Sequence, residues 1–416
     1  MRELSRGAAL RLRIAGPTLV SALASGVSAA TSLVVARGIG AAAFGHFTVV
    51  LSIALIVTIG MLMSLHYVML QELPRAAPAD RPALLTTALL ATLVLGSLVV
   101  VAGMLASPVL TAVLGVDVRT LGFGLALAMS MTLNQLTEGI LRGLGRYALT
   151  AALKLAVAVV YLGGSAYCLL VLGVLDAEVY LAALIATNVA FAAVAVLGSG
   201  AMPRAWTTAL VRPLYRHGGY VTAVAALTGI AFGVDVIFLN HWAHPAEVGI
   251  YSVYNNFPKR LLGVLFTDGV GLVLLPAMAT MDKPALLRRI RRLVPAVGLG
   301  TAAVAFAASL VFFLLLREQY PYAPDLMALS AAGIGAHTVF NLYSVALLMD
   351  GVRGARLLIA CLGVGTPLAL GVQAALIAAF GLYGGLVAFA LSNIVLVIVI
   401  MAAAARAYRP TPETVS

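Results

Sequence analysis

The sequence predicts an all-α polytopic membrane protein with about 12 transmembrane helices. Of its 416 residues, 62% are hydrophobic and only 10% are charged, and the mean hydropathy is +1.07. Apolar runs of about 20 residues, the length that crosses a ~30 Å hydrocarbon core, recur along the whole chain. The basic residues fall mostly in alternate loops between these runs. A transmembrane β-barrel is disfavoured, because its strands alternate in hydrophobicity instead of forming continuous apolar runs.

Polar or Pro/Gly-rich segments divide the chain into twelve predicted spans. The spans cover residues 14–36, 44–70, 83–107, 119–141, 148–173, 178–198, 219–243, 249–275, 293–316, 323–348, 355–380 and 384–405. The longest gap lies near the middle of the chain. We therefore predict an N-terminal six-helix bundle at 1–198, a cytoplasmic linker at 199–218 and a C-terminal six-helix bundle at 219–416.

The distribution of positive charge tests this arrangement. With the N-terminus in the cytoplasm, 21 of the 26 Lys and Arg residues fall in cytoplasmic segments and 3 fall in outer turns. Lys259 and Arg260 are the remaining two. This split follows the positive-inside rule and predicts that both termini are cytoplasmic. The net charge of +11 thus reflects topology and contact with acidic membrane lipids, and it gives no reason to expect a nucleic-acid partner.

The two halves of the chain resemble each other. ARGIGAAAFGHF (36–47) aligns with NHWAHPAEVGIY (240–251) at an offset of 204 residues. At offsets of 204 to 208, Gly45 matches Gly249, Gly143 matches Gly351, and Gly173 matches Gly381. These matches favour a parallel repeat of six helices plus six helices. Transporters often carry such repeats, with the substrate path between the halves near the middle of the membrane.

Enzyme chemistry finds no support in the sequence. The loops are too short for an extramembrane catalytic domain, and there is no Gly-rich phosphate loop, metal-ligand spacing or nucleophile elbow. Cys168 and Cys361 lie inside apolar runs and indicate neither a disulfide framework nor a metal site. We therefore predict a carrier rather than an enzyme, with no catalytic residue, metal or cofactor.

Lys259 and Arg260 are the first candidate substrate-binding residues, because an ionisable group inside a membrane is costly and points to function. If span eight begins at Gly249, Lys259 lies ten residues into it, about 15 Å deep at 1.5 Å per residue. If the span begins at Leu261 instead, both cations lie at the outer surface. The sequence leaves this second interpretation open.

Polar neighbours favour the wall of a water-filled cavity. Residues four apart share a helix face, which groups Asn255 with Lys259 and Asn256 with Arg260. Asp235, in span seven, lies about 12 Å from the outer end of its span, at a depth similar to that of Lys259. We expect Asp235 to neutralise the cations when the cavity is empty and to release them to a substrate. A static structural ion pair is the alternative.

A second pair of opposite charges lies nearer the predicted cytoplasmic side. Glu138 and Lys154 lie near the ends of spans four and five, where they form a candidate gate. The alternative is a structural pair, or long side chains that reach out to the membrane surface.

The cations indicate the chemistry of the substrate. Lys supplies a point charge and Arg a bidentate donor fork, and both suit an anion with several oxygen atoms. A lipid-pyrophosphate headgroup needs such a cavity to cross the hydrocarbon core, together with apolar side openings for its lipid tail.

Four segments carry a resemblance to a known family. They are VVARGIGAAAFGHFTVVLSIA (34–54), EGILRGLGRY (138–147), GVDVIFLNHWAHPAEVGIYSVY (233–254) and AFGLYGGLVAFALSN (379–393). The chain resembles the polysaccharide flippases of the multidrug/oligosaccharidyl-lipid/polysaccharide exporter (MOP) superfamily over nearly its whole length. The resemblance implies two six-helix bundles around a central V-shaped cavity. It also implies alternating access that moves a lipid-linked saccharide to the outer leaflet of the bacterial inner membrane, alongside glycan-assembly enzymes.

Rival functions make different demands on the residues. Related lipid II flippases are richer in cavity arginines, and the first span here has no internal basic residue, which favours another polymer precursor. A drug/cation antiporter of the same superfamily would require an acidic cavity. A major facilitator would carry a Gly-Asp-Arg-type motif that QELPRAAPADRP (71–82) does not match. An assembly scaffold for glycan synthesis would not depend on Lys259 and Arg260.

Overall fold

The structure of the chain is a computed structural model. It describes residues 2–202, 205–256, 258–259, 281–316 and 320–408, except for the side chains of 2–15, 18, 217 and 256. Every regular element in these ranges is helical. The elements are α1 (Arg2–Leu62), α2 (Leu65–Glu72), α3 (Arg81–Leu105), α4 (Ser107–Leu114), α5 (Val118–Gly143), α6 (Tyr147–Leu170), α7 (Ala177–Ser199), a 3₁₀ turn (Thr208–Leu210), α8 (Val211–Gly233), α9 (Asp235–Trp242), α10 (Pro245–Tyr251), a π-helical turn (Ser252–Asn256), α11 (Lys283–Leu316), α12 (Pro324–Leu348) and α13 (Val352–Ala407).

The prediction of a multi-pass helical membrane protein is confirmed. Within the described ranges, eight helices are long and apolar enough to cross a membrane, and the count is nine if α4 and α5, bent by 98° to each other, form one span. The total of twelve stays a prediction, since residues 260–275 of the eighth predicted span lie outside the described part of the chain.

Two glycines interrupt the longest helices. α1 has 61 residues and α13 has 56, lengths of roughly 90 and 84 Å at 1.5 Å per residue, far more than the bilayer core needs. The backbone leaves helical geometry at Gly40 (φ 79°) and at Gly381 (φ 53°), where only glycine adopts a positive φ without steric cost. Beyond the second break, the Leu382 N–H donates to Glu247 Oε2 at 3.0 Å, which satisfies a backbone donor that the break exposes.

Helix ends follow ordinary capping chemistry. The carboxylates of Asp117 and Asp176 accept hydrogen bonds from backbone N–H groups at the starts of α5 and α7, as aspartate does at helix N-termini. Gly115 and Gly200 end α4 and α7 in the left-handed conformation. The sequence therefore defines these boundaries locally.

Some helices differ from the predicted spans. The second span breaks at Met63 and Ser64, which both have positive φ, and the seventh span breaks between α8 and α9. α8 begins at Val211, inside the segment predicted as a linker, because VRPLY continues the apolar helix toward its N-terminus.

The contacts divide the chain into two compact units. The first comprises Met1–Ile39 and Val50–Thr222, and the second comprises Gly40–Val49 and Ala223–Ser416. Each has an apolar core. In the first unit the core is centred on α2 and its neighbours, including Leu65, Met69 and Leu136. In the second it includes Phe340, Phe389 and Leu396 on α12 and α13.

Repeat-related positions share unusual backbone features. Gly173 and Gly381, matched in the sequence at an offset of 208, both adopt positive φ. In the second unit, Gly45 packs against the Pro245 carbonyl, and Gly249 packs against the Ala41 carbonyl. Positions 41 and 45 correspond to 245 and 249 at an offset of 204. The contact is therefore reciprocal, as expected for two copies of one motif.

Candidate functional site

The candidate site lies in the second unit, where a break divides a membrane helix. α8 ends at Gly233 and α9 begins at Asp235, so carbonyl groups near the break need donors from elsewhere. Gln373 Nε2 donates to the Ala231 carbonyl at 2.7 Å, and Lys259 Nζ donates to the Phe232 carbonyl at 3.2 Å. Broken helices occur at membrane depth only where protein or water satisfies the freed groups, and in transporters they are typical of binding sites.

Asp235 begins a chain of buried hydrogen bonds. It is 1% exposed, and both Tyr251 and Asn255 are fully buried. Asp235 Oδ1 accepts from the Val236 N–H at 2.8 Å, and Oδ2 accepts from the Tyr251 hydroxyl. Asn255 Nδ2 then donates to the same hydroxyl oxygen at 2.7 Å. The tyrosine hydroxyl thus connects the carboxylate to the amide.

Lys259 lies among aromatic rings. Its Nζ is 4.9 Å from the centroid of the Phe389 ring and 5.9 Å from that of Phe232, within the range of cation–π attraction. The residue is partly buried and follows the buried Pro258. The ammonium therefore faces two aromatic rings and a backbone carbonyl.

His337 and Asn393 form a further polar group beside the same rings. His337 Nδ1 lies 2.9 Å from Asn393 Oδ1, and the imidazole meets the Phe232 ring edge-on at 4.8 Å between centroids. His337 and Lys259 contact the same two rings, those of Phe232 and Phe389. The site therefore gathers a cation, a carboxylate and an imidazole within one unit.

The structure describes part of the polar faces that the sequence predicts on span eight, and their role in binding stays a prediction. The Tyr251–Asn255 contact joins residues four apart, as expected for one helix face. The chain then forms a π-helical turn over Ser252–Asn256, a feature often found at functional sites, and Lys259 bonds instead to the broken helix. The side chain of Asn256 and all of Arg260 lie outside the described residues.

Glu138 and Lys154 meet in the first unit. Lys154 Nζ lies 2.6 Å from Glu138 Oε1, and Arg142 shares the same oxygen at 3.3 Å. The pair joins α5 to α6. Its part in gating stays a prediction.

Sequence reasoning missed three members of the site. Phe232 and Phe389 look like ordinary apolar residues, and His337 was not among the candidates. The polar residues Gln373 and Asn393 stand singly in apolar spans, and no pattern in the sequence assigns them to this site. No local pattern in the sequence indicates that α12 and α13 supply the groups that contact the helix break, His337 beside Phe232 and Gln373 on the Ala231 carbonyl.

A family model describes most of the chain. The model for polysaccharide biosynthesis proteins matches residues 15–282, which include α8, α9, α10 and Lys259. The chain belongs to the polysaccharide biosynthesis protein family. No curated protein sequence matches it significantly.

Solved structures with a similar fold include transporters of the MOP superfamily. It is similar to a multidrug resistance MATE family transporter of the MOP superfamily in an inward-facing conformation, with 14% identity, a TM-score of 0.69 and coverage of 94% of this chain and 96% of the other. It is also similar to the lipid II flippase MurJ, with 9% identity, a TM-score of 0.63 and coverage of 93% and 86%.

A third structural relative comes from an archaeon. A MOP superfamily transporter from Pyrococcus furiosus, for which a reversed polarity of the binding pocket suggests a different function, has 15% identity, a TM-score of 0.54 and 96% coverage of both chains. At these identities the likeness shows the fold alone. The polysaccharide biosynthesis protein therefore has the fold of MOP superfamily transporters.

Proposed function

We propose that this protein is a flippase that carries a lipid-pyrophosphate-linked saccharide from the cytoplasmic to the outer leaflet by alternating access, for cell-surface polysaccharide synthesis. The protein lies in the bacterial inner membrane, with both termini in the cytoplasm. Two six-helix bundles surround the central cavity. Glycan-assembly enzymes supply and consume the substrate.

The observation that carries the proposal is Lys259. It is a partly buried cation that bonds to the Phe232 carbonyl beside a broken membrane helix. Family membership points to polysaccharide synthesis, and the MOP fold is one that transporters use. A cation held in this setting is suited to an anionic headgroup.

Exchange of partners gives a mechanism for loading and release. A neutral carbonyl is a weaker acceptor for an ammonium than a phosphate oxygen, because hydrogen bonds between two charged groups are about twice as strong. A pyrophosphate that enters the cavity therefore displaces the carbonyl from Lys259. Asn255, Asn256 and Arg260 complete the binding set in this proposal, and Asp235 restores neutrality after release.

Lipid analysis tests the proposal. The gene is deleted, lipids are extracted, and lipid-pyrophosphate-linked saccharides are measured by mass spectrometry after complementation with Lys259→Met, Lys259→Arg or Lys283→Met. We expect accumulation of one such lipid with the first variant. The second should restore flipping in part because it keeps the charge, and the third, on the same unit, should behave as the wild type. Full polymer export with Lys259→Met at normal protein levels would refute the role of this cation.

A drug/cation antiporter is the second candidate, and the buried carboxylate of Asp235 favours it. An antiporter binds cations and protons in turn, for which a carboxylate is the natural group. In this case the deletion leaves saccharide lipids unchanged and slows the efflux of cationic dyes. Asp235→Asn then abolishes efflux, and Lys259→Met leaves it active.

A further inference from the structure

An apolar cavity lies between three helices of the second unit, apart from the candidate site. It has a volume of about 720 Å³ and is lined by α11, α12 and α13, with Gly298, Ala303, Val339 and Ile398 among its walls. Ile398 is 60% exposed, so the cavity opens at the outer surface of the helices. In a membrane-spanning unit, such a surface meets lipid chains.

A small basic pocket adjoins this cavity. It holds about 160 Å³ and is lined by Arg288, Arg291, Tyr343 and Tyr408. Met401 lines both spaces, so the apolar cavity and the basic pocket are neighbours along α11 and α13. The charge distribution of the sequence places the basic pocket at the cytoplasmic surface.

Arg288 and Arg291 are positively charged groups that an anionic ligand could pair with. Within the described ranges, no carboxylate lies within ion-pair distance of Arg288 or Arg291. Asp350, which lies beside the pocket, accepts a hydrogen bond from the Tyr408 hydroxyl at 2.5 Å, and Arg353 stacks on that tyrosine ring at 4.7 Å. Two positive charges therefore face the pocket beside the apolar cavity.

The first unit contains the same cavity without the charges. An apolar cavity of about 490 Å³ lies between α3, α5 and α7. Its lining matches that of the second unit at an offset of 205 residues. The matched pairs are Leu89 with Val294, Leu93 with Gly298, Ala193 with Ile398 and Val196 with Met401.

At the position equivalent to Arg291, the first unit has Thr86. The Thr86 hydroxyl donates to the Met202 carbonyl at 2.8 Å and accepts from the Met202 N–H at 3.0 Å. The segment after α7 therefore covers the end of the first cavity that is basic in the second. Only the second unit, among the described residues, combines an apolar cavity with an arginine pair at its end.

We infer that this site binds an anionic phospholipid of the bilayer, with its phosphate on Arg288 and Arg291 and an acyl chain in the apolar cavity. Basic pockets between membrane helices at the cytoplasmic surface are suited to anionic headgroups. A space of 160 Å³ accommodates one phosphate group but not an oligosaccharide. The occupant is therefore a membrane lipid rather than the saccharide-linked substrate, and the site is independent of transport.

Lipid binding to the purified full-length protein tests this inference. Native mass spectrometry measures the affinity for phosphatidylglycerol relative to phosphatidylethanolamine with the same acyl chains. Each arginine near an anionic headgroup adds about 1 kcal/mol, roughly a factor of five. The double variant Arg288→Gln/Arg291→Gln should therefore lower the phosphatidylglycerol preference about 30-fold.

The same helix provides a matched control. Arg289→Gln/Arg292→Gln removes the same charge from α11 at positions that do not line the pocket, and it should change the preference less than about threefold. A third variant, Ala303→Phe, fills the cavity and should weaken binding of both lipids while it keeps the preference. Thermal unfolding verifies that each variant is folded.

Three results would overturn the inference. One is an equal loss of preference in the two arginine double variants, which would indicate only a diffuse attraction to basic helices. Another is no loss in either. The third is stronger binding of a polyprenyl pyrophosphate than of phosphatidylglycerol, lost with Arg288→Gln/Arg291→Gln, which would make this a substrate site.

Discussion

Tyr251→Phe probes the buried hydrogen-bond chain with the smallest change in shape. The substitution removes one hydroxyl, and with it both the bond to Asp235 Oδ2 and the bond from Asn255 Nδ2. All three side chains are buried, so water does not replace the lost partner. The cost depends on the charge of Asp235.

The magnitude follows from the two bonds. A hydrogen bond to a charged group contributes about 1.5–3 kcal/mol, and a neutral hydrogen bond between membrane helices contributes about 0.6 kcal/mol. With an ionised Asp235 the loss is about 2–4 kcal/mol, which lowers the midpoint of thermal unfolding by roughly 5–10 °C. With a neutral Asp235 both bonds are of the weaker kind, and the loss is about 1–2 kcal/mol.

Thermal unfolding in detergent measures these differences. Tyr254→Phe is the matched control, because Tyr254 is equally buried but its hydroxyl bonds only to the backbone, donating to Pro321 O at 2.5 Å and accepting from Ala323 N at 3.0 Å. A double-mutant cycle of Tyr251→Phe with Asp235→Asn isolates the coupling between the two side chains.

The cycle also gives the refuting result. A coupling of about 1.5–3 kcal/mol indicates an ionised Asp235 that the hydroxyl stabilises. A coupling near zero, with Tyr251→Phe as stable as the wild type, would mean that the hydrogen-bond chain does not stabilise the second unit. Asp235 would then not be held in place to balance the charge of Lys259.

Three further predictions concern packing and pairing. Gly249→Ala places a methyl group on the facing Ala41 carbonyl and should lower both expression and the midpoint of thermal unfolding. Gly300→Ala, in a helix with open space around it, is the control and should raise stability by up to about 1 kcal/mol. Equal behaviour of the two variants would refute the close packing. Glu138→Gln should lower the free energy of unfolding by about 1 kcal/mol or less, since its partner Lys154 is partly exposed. A flipping rate that falls in this variant, and recovers when the two charges are exchanged, would support a gate. An unchanged rate would leave a structural ion pair. Gln373→Leu leaves a buried carbonyl without its donor and should cost about 1–3 kcal/mol in thermal unfolding; no loss would show that the helix break is satisfied in another way.

Local sequence patterns account for most of the helices. Predicted spans 119–141, 178–198 and 323–348 correspond to Val118–Gly143, Ala177–Ser199 and Pro324–Leu348. The first two boundaries are predictable because a capping aspartate precedes the apolar run and a turn glycine follows it. The third helix begins at a proline, which favours the first turn of a helix. The breaks at Met63, Ser64 and Val234 carry no such signal.

The depth of a charged residue is also a property of the sequence. Counting residues from the end of a span predicts a similar depth for Asp235 and Lys259, because each helical residue advances 1.5 Å, and this stays a prediction. The sequence does not give the rotation of a helix about its axis. In a membrane the outer faces are as apolar as the core, so the pattern of hydrophobic residues does not distinguish the face that meets lipid from the face that meets another helix.

The sequence by itself determined that this is a multi-pass helical membrane protein, and its matched segments favour two related halves. The tertiary structure alone decided which groups meet. Lys259 contacts Phe389, 130 residues away in the chain, and His337 meets Asn393 across two helices. Such contacts depend on how the helices pack. Packing is decided by the fit between side chains that are far apart in the chain, so no local sequence pattern predicts it.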